Sequence, residues 1–274
     1  MSKTSTARPI LLIGAGRMGG ALLKGWTQHR LGPVIAVEPS PSAELKAFAR
    51  THHIALFAHA ASIDTVPARA CIVALKPQIL KTEAARLAPI AQSGALMLSI
   101  AAGSSIAGLR RAWGAKSRIV RAMPNTPGAI GRGITALYAG SGTTAADKTL
   151  ATRLLAALGE TVWVRREADI DAVTAVSGSG PAYVFLLVEA LAAAAEAEGL
   201  ARPLAEKLAR ATVTGAGALL DADPSPPALL RRAVTSPHGT TEAALDILMA
   251  TNGLAPLLRR AVAAARRRAR QLGA

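Results

Sequence analysis

The sequence predicts an α/β fold, a doubly wound parallel sheet followed by an all-helical dimerisation domain. Three observations predict it. Short apolar runs alternate with helical patterns through the first 166 residues, the order of a sheet wrapped by crossover helices. A glycine-rich turn follows the first of those runs. Beyond about Arg166 the strand-like runs vanish and long alanine- and leucine-rich helical segments take over, which marks a domain boundary.

The elements follow in order. Strands are expected at 10–13, 34–38, 70–75, 95–100 and 118–122, with helices at 17–30, 43–50, 78–89 and 104–113 between them. A strand at 134–138, a helix at 145–158 and a last strand at 161–164 complete a first domain, 1–166. In the second domain, 167–274, Pro181 is placed to open a helix after the turn Ser177-Gly178-Ser179-Gly180, Gly199 to end it, and Pro203 to open the next. Residues 182–195 are apolar almost all round, with Glu189 the single charge, so this helix has to be buried on most of its surface. Burial against a second copy of the chain is the simplest resolution; the central helix of a monomeric bundle is the alternative.

Composition bounds the function. At 274 residues and 51% apolar content the chain is long enough for two cores. The longest apolar stretch, 184–195, is broken by Glu189 and too short for a bilayer, so no membrane span is expected. The leader 1–9 carries Lys3 and Arg8, but only 10–13 follow as an apolar run, shorter than a signal-peptide core; a cytoplasmic location is expected. Cys71 is the only cysteine, which excludes an internal disulfide and thiolate metal sites, and its apolar surroundings suit a buried small hydrophobe. No metal is expected. A net charge of +15 raises nucleic acid as a partner. The densest cluster, Arg259, Arg260, Arg266, Arg267, Arg268 and Arg270, is however the solvated face of an amphipathic helix, and no aromatic residue interleaves with it as a stacking platform. Nucleic acid is not expected as a partner.

The chemistry-bearing motif of the first domain is Gly14-Ala15-Gly16-Arg17-Met18-Gly19, after a strand and at the start of a helix. In this Rossmann-type turn Gly14 permits the tight bend, Gly16 lets the backbone approach a pyrophosphate, and Gly19 brings the helix close to the sheet. The helix N-terminus offers free amides and a positive dipole end to phosphates. Glu38 ends the second strand about twenty residues on, where an acidic side chain binds ribose hydroxyls. Ala74-Leu75-Lys76-Pro77 and Ala101-Ala102-Gly103 close two later strands, and both turns are expected to face the dinucleotide.

Three blocks carry a resemblance. Met123-Pro124-Asn125-Thr126-Pro127, the run from Asp171 to Tyr183 containing Ser177-Gly178-Ser179-Gly180-Pro181, and Val234-Thr235-Ser236-Pro237-His238-Gly239-Thr240-Thr241 resemble the signature blocks of pyrroline-5-carboxylate reductases in order and spacing. The match runs from about Ile10 to Leu272. The resemblance implies a dinucleotide domain, a helical domain that interleaves with its twin as a homodimer or a ring of dimers, and NADPH or NADH as cofactor. It implies 1-pyrroline-5-carboxylate as substrate, held near Ser236, Gly239, Thr240 and Thr241, with Thr241 matching the family's substrate-contacting threonine. One departure stands out: the loop commonly has two glycines after the proline, and here the first is His238. If that position has positive φ, histidine is strained there.

The residues themselves bear on the chemistry. Ketone reductases of this class place a Lys or His proton donor over the carbonyl oxygen, and the helical domain has only Lys207 and His238. A cyclic imine is protonated beforehand, so a hydroxyl that orients its nitrogen suffices. Ser236, Thr240 and Thr241 supply hydroxyls beside a helix start that suits a carboxylate; simple helix capping is the other reading of the same cluster. A 3-hydroxyacid or imine reductase of the same architecture, and a catalytically silent cofactor-binding protein, are the competing functions. For cofactor choice, Glu38 is expected to repel a 2′-phosphate, while Lys46 and Arg50 lie too far into the next helix to clamp one.

Overall fold

A computed structural model describes residues 7–273; the first six residues of the basic leader lie outside them. The chain divides into two compact units, Met1–Gly178 with Arg266–Ala274, and Ser179–Ala265.

The first unit holds the sheet. In chain order its elements are β1 (Ile10–Ile13), α1 (Arg17–Gln28), β2 (Val34–Val37), α2 (Ala43–Thr51), β3 (Ala55–Phe57), β4 (Ala70–Val73), α3 (Pro77–Glu83), α4 (Ala88–Gln92), β5 (Leu96–Ser99), α5 (Ile106–Trp113), β6 (Ile119–Met123), β7 (Gly133–Ala139), α6 (Ala145–Leu155), β8 (Gly159–Trp163) and α7 (Glu167–Val173). The eight strands lie in the order β3-β2-β1-β4-β5-β6-β7-β8. The order reverses between β1 and β4, and in doubly wound sheets ligands bind outside the carboxyl ends of the strands at that switch point.

Both faces of the sheet are covered, so β1 and β4 at its centre are apolar at every position rather than at alternate ones. Ile10 and Leu12 pack with Leu22, Leu23 and Trp26 on one side. Leu11 and Ile13 pack with Leu80, Leu87 and Trp113 on the other. The two buried indoles are each satisfied: Trp26 Nε1 donates to the Leu154 carbonyl at 2.7 Å and Trp113 Nε1 to that of Ala84 at 3.0 Å. Cys71 is fully buried in β4, and desolvation pushes its thiol up to about 12, as expected of a packing residue.

Four expectations change. β3 is an additional strand within the short apolar run Ile54 to Ala58, a three-residue edge strand beside β2. The helix expected at 78–89 is split into α3, a 3₁₀ turn at Ala84–Leu87 and α4, where Pro89 lacks the N–H that a continuous helix needs. β7 runs antiparallel to β6, because the connection holds only the 3₁₀ turn Thr126–Ile130 and a parallel return needs a crossover of a dozen residues or more.

The fourth concerns Ser177 to Gly180, which is not a turn. Thr174–Gly178 forms a π-helix that joins α7 directly to α8 (Gly180–Ala197), with Pro181 the second residue of α8. The helical run Glu167–Ala197 thereby reaches 31 residues, long and apolar enough by length and composition to cross a membrane, where the 184–195 stretch alone was too short.

The second unit contains α8, α9 (Arg202–Ala222), α10 (Pro227–Ala233), α11 (Thr240–Leu248) and the first part of α12 (Leu254–Gly273), whose last turns belong to the first unit. α8 packs on α9 through the buried small residues Ala192, Ala205 and Ala209. Gly199, with φ +90°, ends α8, and the Leu200 N–H closes the turn on the Ala195 carbonyl.

Candidate functional site

The glycine-rich turn follows β1 at the switch point. Gly14 has φ +91°, and a Cβ there would lie 2.9 Å from the Ala74 carbonyl oxygen. A Cβ on Gly19 would lie 2.0 Å from the Gly14 oxygen, so α1 approaches the turn as closely as it does only because that residue has no side chain. Gly16 differs. A Cβ there meets only open space, so the protein's own packing does not require glycine.

Gly16 is also the N-cap of α1 and offers no side-chain cap. The N–H groups of Gly16, Arg17, Met18 and Gly19 have no partner among the described residues. Four unpartnered amides at the positive end of a helix dipole, beside a glycine whose missing side chain leaves open space, fit a dinucleotide pyrophosphate.

Glu38, one residue past β2, folds back over the turn. Its Oε2 accepts from the Ala15 N–H at 2.9 Å and its Oε1 from the Ser40 N–H at 3.2 Å. It borders a cavity of about 500 Å³ together with Ala15, Gly16, Arg17, Lys24 and Ser40. Lys24 is already paired with Glu44 at 2.9 Å. A second, more apolar cavity of about 480 Å³ is lined by Gly14, Pro39, His59, Leu75 and Ile79.

The later turns follow β4 and β5, the strands next in order beyond β1. Ala74 and Leu75 pack against Gly14, Lys76 is the N-cap of α3, and Pro77 opens that helix. Ala101 is buried and Ala102 half-buried. Gly103 has φ +69°, and a Cβ there would lie 2.8 Å from Leu272 in the last turn of α12, which supplies a packing reason for that glycine.

Two features of this unit escaped the sequence reading. Met123 packs on Gly178, where a Cβ would come within 2.7 Å of the Met123 Cε, so the first two signature blocks touch. Arg121, buried in β6, bridges Glu167 at 3.2 Å and Asp171 at 3.1 Å, and Glu167 also accepts from the Ile106 N–H at 2.7 Å. A lone arginine in the apolar strand Ile119-Val120-Arg121-Ala122-Met123 and two acids four apart were the available signals.

In the second unit, Ser236, Gly239, Thr240 and Thr241 fall at the junction of α10 and α11. Ser236 to Gly239 form a turn closed by the Gly239 N–H on the Ser236 carbonyl at 3.0 Å. Pro237 stands at its second position and His238 at its third, where φ is +56°. The anticipated positive φ is present. Gly239 is the N-cap of α11 and Thr240 and Thr241 its first two residues, with no side-chain cap. The hydroxyls of Ser236, Thr240 and Thr241, and the N–H groups of Thr240, Thr241 and Glu242, have no partner among the described residues. Capping therefore does not account for this Ser/Thr cluster. Among the described residues no group of three His, Cys, Asp or Glu side chains could hold a metal ion.

Comparison with known proteins places this geometry. A family model described as pyrroline-5-carboxylate reductase dimerisation matches residues 167–272. A pyrroline-5-carboxylate reductase of Pseudomonas aeruginosa is 39% identical over 268 residues, covering 98% of this chain and 97% of the relative. The structure of such a reductase from Coxiella burnetii superposes with a TM-score of 0.88 at 34% identity, covering 98% of this chain and all of that one. The Plasmodium falciparum enzyme, solved with NADP bound, gives 0.82 at 26% identity, over 97% of this chain and 98% of that one. With this agreement over nearly its whole length, the chain belongs to the pyrroline-5-carboxylate reductase family.

Proposed function

We propose that the protein reduces 1-pyrroline-5-carboxylate to proline with NAD(P)H. The single observation that carries the substrate side is the first turn of α11. Three amides and two hydroxyls there, with the Ser236 hydroxyl in the preceding turn, have no partners of their own, a set of donors suited to a small carboxylate with an adjacent polar nitrogen. On the cofactor side the residues proposed are Gly14, Ala15, Gly16, Arg17, Met18, Gly19 and Glu38, with Ala74 to Pro77 and Ala101 to Gly103 in the neighbouring turns. NAD(P)H, when bound, supplies the hydride that the imine carbon accepts. The amides of Thr240 and Thr241 hold the substrate carboxylate. Thr241 Oγ1 accepts from the protonated ring nitrogen and fixes the ring, so that the C=N bond becomes a secondary amine without a strong protein acid. Ser236 and Gly239 shape the turn around the ring.

The active form in this reading is a homodimer or a ring of dimers assembled through 167–274, following 1–166 as the cofactor domain. Neither nucleic acid nor a membrane is a partner, and the location is the cytoplasm, where NAD(P)H is available. The test is NAD(P)H oxidation with pyrroline-5-carboxylate, set beside 3-hydroxyisobutyrate oxidation with NAD(P)⁺. Turnover of the imine alone is expected. Turnover of the hydroxyacid alone would overturn the assignment in favour of a dehydrogenase, although residues 184–200 lack the lysine such enzymes place there.

A further inference from the structure

The turn that presents Thr240 and Thr241 is held in a conformation its own sequence resists. Ser236-Pro237-His238-Gly239 has Pro at the second position and a positive φ at the third, the pattern of a type II turn, which favours glycine at that third position. His238 occupies it at φ +56°, and its side chain, 99% exposed, faces only solvent and the Glu242 carboxylate, with Nδ1 4.0 Å from Oε2. One side chain holds the turn from outside. Glu242, the third residue of α11, reaches back and accepts the His238 N–H on Oε2 at 2.6 Å. A glutamate at this position ordinarily returns to the N-cap N–H. Here the N-cap N–H, that of Gly239, is already given to the Ser236 carbonyl, so Glu242 takes the next amide back.

Resting on the function proposed above, we propose that Glu242 is a positioning residue for the substrate loop: its carboxylate pins His238 in the left-handed conformation and so keeps the α11 amides and the Thr241 hydroxyl open to the anionic substrate. The need for such a clamp arises because the residue at 238 is histidine. A glycine there would take up positive φ unaided.

The test is a rescue. Glu242→Ala is expected to raise KM for pyrroline-5-carboxylate about ten-fold with kcat little changed, the loss of one hydrogen bond to a charged acceptor that orders the bound loop. Adding His238→Gly to that variant is expected to return KM to within about two-fold of wild type. Glu242→Gln, which keeps an acceptor oxygen, should retain most of the affinity. NADH affinity, measured by fluorescence titration, should be the same in all three, and an unchanged helical circular-dichroism signal and melting temperature report that the helical unit of each is folded. A KM for Glu242→Ala at or below wild type, as expected if its charge merely repels the substrate, would overturn the proposal; so would a raised KM that His238→Gly leaves unrestored. Wild-type protein that binds NADH yet reduces no imine would instead remove the assigned activity, a distinct outcome.

Discussion

Thr241 tests the reaction at the scale of one hydroxyl. It is the second residue of α11, the N-cap is Gly239, and the Thr241 hydroxyl has no partner among the described residues. Removing it should therefore leave stability nearly unchanged and strike turnover. Thr241→Ala is expected to lose about ten- to a thousand-fold in kcat/KM, while Thr241→Ser retains much of the activity. An alanine variant that turns over normally and only melts earlier would make Thr241 a cap, whose loss costs about 1 kcal/mol. Glu38 is expected to bear on cofactor choice. Two backbone N–H groups pin its carboxylate beside the glycine-rich turn, and of the two cations lining that cavity, Arg17 and Lys24, Lys24 is paired with Glu44. A 2′-phosphate would meet a fixed negative charge, so NADH should be used unusually well for a family member. Glu38→Ser should raise the NADPH to NADH ratio of kcat/KM and of the binding constants. An unchanged ratio removes Glu38 from the ribose site.

Elements of the first unit were legible wherever period and turn chemistry agreed. β1, α1 and the glycine-rich turn stand within two residues of expectation, because an apolar run, a forced positive φ at Gly14 and a helical stripe all point the same way. The Arg121 network was not legible, since it rests on partners 46 and 50 residues away, whereas β3 was missed although the apolar run Ile54 to Ala58 signalled it. The π-helix at Thr174–Gly178 was hidden for a related reason: Ser and Gly read as a turn, but Gly178 is glycine to admit Met123. In the turn before α11 the positive φ at His238 was foreseen and its Glu242 partner was not. Helix ends supply a testable element-scale consequence. α1 and α2 stop at Arg30 (φ +49°) and His53 (φ +52°), and in each the next N–H returns to the carbonyl five back, Leu31 to Trp26 and Ile54 to Ala49. Glycine prefers this position. Arg30→Gly and His53→Gly should each stabilise the protein by roughly 0.5–1 kcal/mol, read as a higher chemical-denaturation midpoint at unchanged slope. A lower midpoint for both would mean that their side chains contribute more than the backbone strain removes.

At the scale of the whole molecule, the apolar surface decides the assembly. Phe185, Leu186 and Leu187 on α8, Leu219 and Leu220 on α9 and Ile247 and Met249 at the end of α11 are all at least half exposed in the single chain. Apolar exposure of this extent on one compact unit marks surface that another body covers. A bilayer is a poor candidate, even though Glu167–Ala197 is long enough. Its first turns hold Glu167 and Asp171 in ion pairs with Arg121, Ile170 and Ala175 are buried in the first unit, and Glu189 sits in the middle of α8. What remains, the 18 residues of α8, spans about 27 Å and carries both Glu189 and Glu196. A second copy satisfies the same surface without placing those acids in hydrocarbon, and the family model for this region is one of dimerisation. Sedimentation at micromolar concentration is expected to show a dimer or a closed ring of dimers, with no monomer. Phe185→Asp combined with Leu186→Asp should shift the protein to smaller species and lower its melting temperature, since uncovered α8 loses the burial that justifies its composition. NADH should still bind, because the phosphate turn and Glu38 lie wholly in the first unit. A wild-type protein that sediments as a stable, active monomer would require α8 to be covered within one chain, and the dimeric reading would then be wrong.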